Sequence, residues 1–145
     1  MALRDIMTAR VVTVEMDDRL EVVKEIFDTL HFHHLLVVDE HKRLSGIVSD
    51  RDLLRALSPQ VGSASETARD LATLNKRVHQ IMTRHPMTLR PHSAVSEAVT
   101  LLLTHRFSCV PIVDEEGRPA GIVSWRDVLR FLASAAGHGG REGFA

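Results

Sequence analysis

Apolar positions recur along the chain in two matching series. Val11 to Val14 is a short apolar segment, and Asp18 followed three residues later by Glu21 has the spacing of a capping box. That pairing satisfies free backbone N–H groups at a helix start, so it predicts a helix running to about Leu30. Leu35 to Asp39 is a continuous apolar run of strand length, Glu40-His41-Lys42-Arg43 is a polar turn, and Leu44 to Ser49 is a second strand. A helix from Asp50 to about Leu57 closes the series. The order then returns: a strand near Thr88, a helix from about Ala94 to Arg106, strands at Val110 to Val113 and Ala120 to Ser124, and a helix from Trp125 to about Ala135.

The return is a duplication. At an offset of 75 residues Ile6-Met7-Thr8 falls on Ile81-Met82-Thr83, and Gly46-Ile47-Val48-Ser49 on Gly121-Ile122-Val123-Ser124, with no gap between them. Thr13 meets Thr88, Phe32 meets Phe107, Val38-Asp39-Glu40 meets Val113-Asp114-Glu115, and Arg51-Asp52 meets Arg126-Asp127. This period is too long for most solenoid repeats and there are two copies, so two halves packed face to face are predicted. The division is residues 1–60, a connector at 61–77 in which Leu71 and Leu74 give weak helical spacing, 78–136, and a glycine-rich flexible tail at 137–145. A β-α-β-β-α unit covers one sheet face with its two helices and leaves the other bare. The predicted fold class is therefore α+β, two pseudo-symmetric units packed sheet to sheet with quasi-equivalent clefts between them.

Composition narrows the function classes. Of 145 residues, 44 % are apolar, enough for a continuous core without staples. Eighteen Lys plus Arg nearly balance nineteen Asp plus Glu, so no global field concentrates a polyanion and nucleic acid is not an expected partner. The single cysteine, Cys109, sits in the apolar run Cys109-Val110-Pro111-Ile112-Val113 and reads as a small core hydrophobe in a reducing, cytoplasmic setting. Met1-Ala2-Leu3-Arg4-Asp5 lacks the basic start of a signal peptide. No apolar run approaches the ~20 residues that span a bilayer, so a soluble protein with no membrane partner is expected.

The Ile-Met-Thr opening, the Val-Val-Asp and Ile-Val-Asp strand ends, and Gly-Ile-Val-Ser-x-x-Asp leading into a helix resemble CBS repeats, over residues 3–57 and 78–133. Two in tandem resemble a Bateman module. The resemblance implies a non-catalytic regulatory module needing no cofactor, with an adenine nucleotide (AMP, ADP, ATP) or S-adenosylmethionine bound as a regulatory ligand in clefts between the repeats. It further implies a homodimer formed through helical faces and an effector protein of unknown identity. With no fused effector domain in the sequence, the output is expected in another chain or in the oligomer.

The key turns, Ser49-Asp50-Arg51-Asp52 and Ser124-Trp125-Arg126-Asp127, have a reading of their own. A carboxylate on the first helical turn at a cleft mouth can accept hydrogen bonds from two vicinal ribose hydroxyls, and such charge-assisted bonds are strong. The same spacing is also a helix capping box with Asp in place of Glu, and the two roles are compatible. Carried over from the family, Ser49 and Asp52 face Met87, Thr88, Phe107 and Ser108, with Arg126 at the phosphate. Ser124 and Asp127 face Val12, Thr13, Phe32 and His33, with His34 and Arg51 at the phosphate. Family members often carry a basic pair before the second strand; the first repeat has His33-His34 and the second Ser108-Cys109, which points the Ser49/Asp52 site towards a less charged ligand.

Rival readings have weaker support. His31, His33, His34 and His41 cluster in sequence, yet no cysteine or group of acids completes a tetrahedral metal set. No Gly-x-Ser-x-Gly, Walker loop or dinucleotide fingerprint marks an enzyme. A ligand-free dimerisation or protein-interaction module is the main alternative, against which two intact acids stand. Trp125 is expected to pack at its helix start, and Phe32 and Phe107 to fill core while bordering an adenine ring.

Overall fold

A computed structural model of the chain describes residues 1–139, with side chains to residue 136. It divides into two compact units: Val12–Pro86, and Met1–Val11 together with the chain from Met87 onward.

In the first unit, β1 (Thr13–Glu15) is followed by α1 (Leu20–Thr29), β2 (His34–Val38), β3 (Leu44–Ser49), α2 (Asp50–Ala56), α3 (Ala68–Ala72) and β4 (Thr83–Arg84). The sheet order is β1-β2-β3-β4. β1 runs parallel to β2 with Val14 against Val37, and the other pairings are antiparallel, including Ile47 against Thr83. Val14, Leu20, Val23, Leu35, Val37, Val48, Leu53 and Val78 form one buried cluster. The alternation of Leu35 and Val37 on β2 and the three-residue step from Leu20 to Val23 on α1 aim these side chains at one another.

The second unit repeats the plan with α4 (Val95–His105), β5 (Cys109–Val113), β6 (Pro119–Ser124) and α5 (Trp125–Gly139). Single bridges stand where the first unit has short strands: Leu89 pairs parallel with Ile112 and Thr8 antiparallel with Ile122. Its core is Leu3, Ala98, Leu102, Val110, Ile112, Val123 and Val128. Leu3, Ala98, Val110, Ile112, Val123 and Val128 each lie 75 positions from a core residue of the first unit. The two hairpin turns match as well, with Asp39 accepting from the backbone N–H groups of His41 and Arg43, and Asp114 from those of Glu116 and Arg118. These bonds to the charged form hold both carboxyls below the usual carboxylate range.

The structure differs from the sequence reading at the start of α1, at the strand expected near Thr88 and at the end of α5, and its compact units do not coincide with the sequence repeats. The units are cut differently from the repeats: residues 1–11 belong with the second unit and residues 78–86 with the first. Thr8 exchanges both backbone hydrogen bonds with Ile122 (2.8 and 2.9 Å), and Leu3 N–H donates to Ser93 C=O at 2.9 Å. The Asp18–Glu21 capping box does not form. Arg19 is the N-cap, Asp18 instead accepts from Glu15 N–H at 2.8 Å, and Leu20 N–H donates to the Lys76 carbonyl at 2.8 Å. A segment far along the chain thus supplies an acceptor that a local side chain was expected to give. The strand expected near Thr88 is reduced to the Leu89 bridge, and a strand at Thr83–Arg84 appears before it. Finally α5 continues through Gly139, so the expected tail is helical at residues 137–139 and otherwise lies outside the described residues.

Candidate functional site

Each unit ends its hairpin in the same strand-to-helix turn. At the end of β3, Ser49 caps α2: its Oγ accepts from Asp52 N–H at 3.1 Å, while Asp52 Oδ2 accepts from Ser49 N–H at 2.8 Å. At the end of β6, Asp127 Oδ2 accepts from Ser124 N–H at 2.8 Å and from Ser124 Oγ at 3.1 Å. The capping role read from the spacing is therefore realised at both turns. It also fixes each carboxylate at a helix N-terminus, where the backbone dipole favours negative charge.

The two acids differ in their surroundings. Asp52 is half-buried, whereas Asp127 is 3 % exposed. Thr8 Oγ1 donates to Asp127 Oδ1 at 2.9 Å, and Arg130 Nη1 lies 3.2 Å from the same oxygen. The sequence reading gives neither Thr8 nor Arg130 a role at the site. Arg130 follows Asp127 by three positions, a spacing that signals a helix ion pair; the Thr8 contact depends on the pairing of Thr8 with Ile122.

Other candidate residues fall into place within their own units. In the first, Val12 is half-buried just before β1 and Thr13 is exposed, and the Val12 carbonyl accepts from Leu36 N–H at 3.1 Å. Phe32 and His33 line a surface cavity of about 310 Å³ with Phe27, Asp28, Leu30, His31, Asp50, Leu53 and Leu54. His33 Nδ1 is 2.9 Å from Asp50 Oδ2, an acid the sequence reading passed over. His34 opens β2, and burial lowers its pKa; the His33 imidazole acts the same way and the Asp50 and Asp52 carboxylates oppose it. Arg51 is exposed.

In the second unit Met87, Thr88, Ser108 and Arg126 are exposed and Phe107 is half-buried, its ring stacked on His105 with centroids 5.2 Å apart. Trp125, expected to pack at the helix start, is 39 % exposed, and its indole N–H donates to the Phe107 carbonyl at 3.2 Å. Cys109 is buried, as expected of a core hydrophobe, and burial pushes its thiol up to about 12, with the Asp127 charge adding to the effect. Such a thiol carries little thiolate near neutrality, the behaviour of a buried core residue.

Comparison with known proteins gives this arrangement its family. The CBS domain model matches residues 3–59 and 78–134. The chain is 32 % identical over 131 residues to a CBS domain-containing protein of Dictyostelium discoideum, covering 90 % of each chain. It spans only 26 % and 21 % of the length of two relatives named as enzymes. Among solved structures, a CBS domain pair in complex with 5′-methylthioadenosine and S-adenosyl-L-methionine superposes with a TM-score of 0.76 at 26 % identity, over 93 % of this chain and 98 % of that one. CBSX2 in complex with AMP, a protein of Arabidopsis thaliana, also gives 0.76, at 27 % identity over 92 % and 97 % of the two chains. With two matched repeats over most of its length, an α+β fold shared with solved CBS pairs and the same strand-to-helix turn in each half, the chain belongs to the CBS domain family.

Proposed function

We propose that this CBS pair is a non-catalytic sensor of an adenosine-containing ligand, with Asp52 and Asp127 as acceptors for the ribose hydroxyls and Ser49 and Ser124 beside them. The observation that carries the reading is the duplicated Ser-x-x-Asp turn, which fixes a carboxylate at a helix N-terminus in each unit. Support comes from the adenosyl ligands named in two structures of similar fold and size. The adenine-facing roles go to Val12, Thr13, Phe32, Met87, Thr88, Phe107 and Ser108. The phosphate-facing roles go to His33, His34, Arg51 and Arg126, of which Arg51 and Arg126 each immediately precede a proposed ribose acid in sequence.

Ligand occupancy acts by favouring one of two arrangements of the protein, and the size of the switch equals the ligand's differential affinity for them. The reading extends to a cytoplasmic homodimer that reports to an effector protein. Exposed Leu54, Leu103, Leu129 and Leu132 on the helices supply apolar surface for that association. Among the described residues no helix is long and apolar enough to cross a membrane.

A thermal-shift panel with AMP, ADP, ATP, S-adenosylmethionine, NADH, GTP and zinc tests the proposal. A ligand at 100 times its Kd stabilises the folded state by about 2.7 kcal/mol. The expected result is a rise in Tm with an adenosyl compound and none with GTP. A panel flat in all adenosyl compounds contradicts the sensor and leaves the ligand-free interaction module.

A further inference from the structure

The two Ser–Asp turns are unequal, and we infer that Asp52 is the acid that takes a ribose first, while Asp127 is engaged by its own unit through Thr8 and Arg130. The inference rests on the ribose-anchor reading above and ranks its two sites.

A carboxylate offers about four lone-pair positions. At Asp127 four donor contacts use them: Thr8 Oγ1 at 2.9 Å and Arg130 Nη1 at 3.2 Å on Oδ1, Ser124 N–H at 2.8 Å and Ser124 Oγ at 3.1 Å on Oδ2. A ribose diol arriving there has to displace one of these donors and enter a group that is 3 % exposed. The positions 75 residues from Thr8 and Arg130 are Thr83 and Arg55. Both are exposed, and among the described residues neither bonds to Asp52. Asp52, half-buried and held by Ser49 N–H, keeps acceptor capacity for a ligand.

Thr8 is the informative residue of the set. It alone comes from outside β6 and α5, and it lies on the segment whose backbone pairs with Ile122. Its hydroxyl ties the opening segment of the chain to the acid of the second repeat. Substituting it by Val keeps shape and removes the donor.

Calorimetric titration with AMP, and with S-adenosylmethionine in parallel, tests the ranking on the unaltered chain and on Asp52→Asn, Asp127→Asn and Thr8→Val. The expected result is one dominant binding event, at least tenfold tighter than any second. Asp52→Asn removes it, and Thr8→Val leaves it in place while strengthening the second event about tenfold. Without ligand, Asp127→Asn lowers Tm by several degrees and Asp52→Asn does not. If Asp127→Asn fails to fold, the Asp52→Asn and Thr8→Val titrations decide alone. Two events of equal affinity, or a dominant event that survives Asp52→Asn, overturn the ranking and leave the ribose-anchor reading standing. No binding of either compound to any of the folded chains overturns that reading, and the ranking with it.

Discussion

Gly121 lies against the carbonyl of Thr8 so closely that a Cβ at this position would stand 2.9 Å from the oxygen and 2.8 Å from Met7 Sδ. Gly46 repeats the relationship, with 2.8 Å to both the Thr83 carbonyl and Met82 Sδ. A thioether can swing aside. The Thr8 carbonyl is fixed, because it accepts from Ile122 N–H at 2.9 Å while Thr8 N–H donates back at 2.8 Å. Gly121→Ala is expected to cost about 1–3 kcal/mol, the range for forced overpacking. In thermal unfolding that is a Tm lower by roughly 3 °C per kcal/mol. An unchanged Tm contradicts the close approach.

Burial lowers the His34 pKa below its ordinary value of 6.5. A His whose folded pKa is depressed contributes stability that is fully present above the unfolded value and is lost as pH falls through the folded one. His33 on the neighbouring position and the Asp50 and Asp52 carboxylates modulate this without reversing its direction. Tm is therefore expected to fall as pH is lowered below the unfolded value of about 6.5, and His34→Gln to fall less steeply. Parallel profiles for the two proteins contradict the assignment to His34.

Cys109, 7 % exposed with its thiol pushed up to about 12, is expected to resist a thiol reagent at pH 8 in the native protein. Relative to an ordinary cysteine of pKa about 8.5, the thiolate fraction is lower by roughly a thousandfold. Labelling should complete within minutes only after denaturant is added. Rapid labelling of the folded chain places the thiol at the surface.

Much of this architecture was written in the 75-residue offset. Gly-Ile-Val-Ser followed by an acid marks a strand, a cap and a helix start at once, and both Ser-x-x-Asp turns form as that spacing requires. What stayed hidden is tertiary. Asp18 and Glu21 have the spacing of a cap, but the Lys76 carbonyl meets the helix start instead. The engagement of Asp127 by Thr8 spans 119 positions and follows from a strand pairing that no local pattern announces. The opening segment reads as the start of the first repeat, yet its Leu3 is buried among Ala98, Leu102 and Val110.

Carboxylates proposed to read a ribose diol are tested most directly by comparing the affinities of AMP and 2′,3′-dideoxy-AMP. The expected result is a loss of about tenfold or more for each hydroxyl removed, since a hydrogen bond to a charged group is worth about 1.5–3 kcal/mol. Equal affinity for the two nucleotides contradicts the ribose-anchor reading.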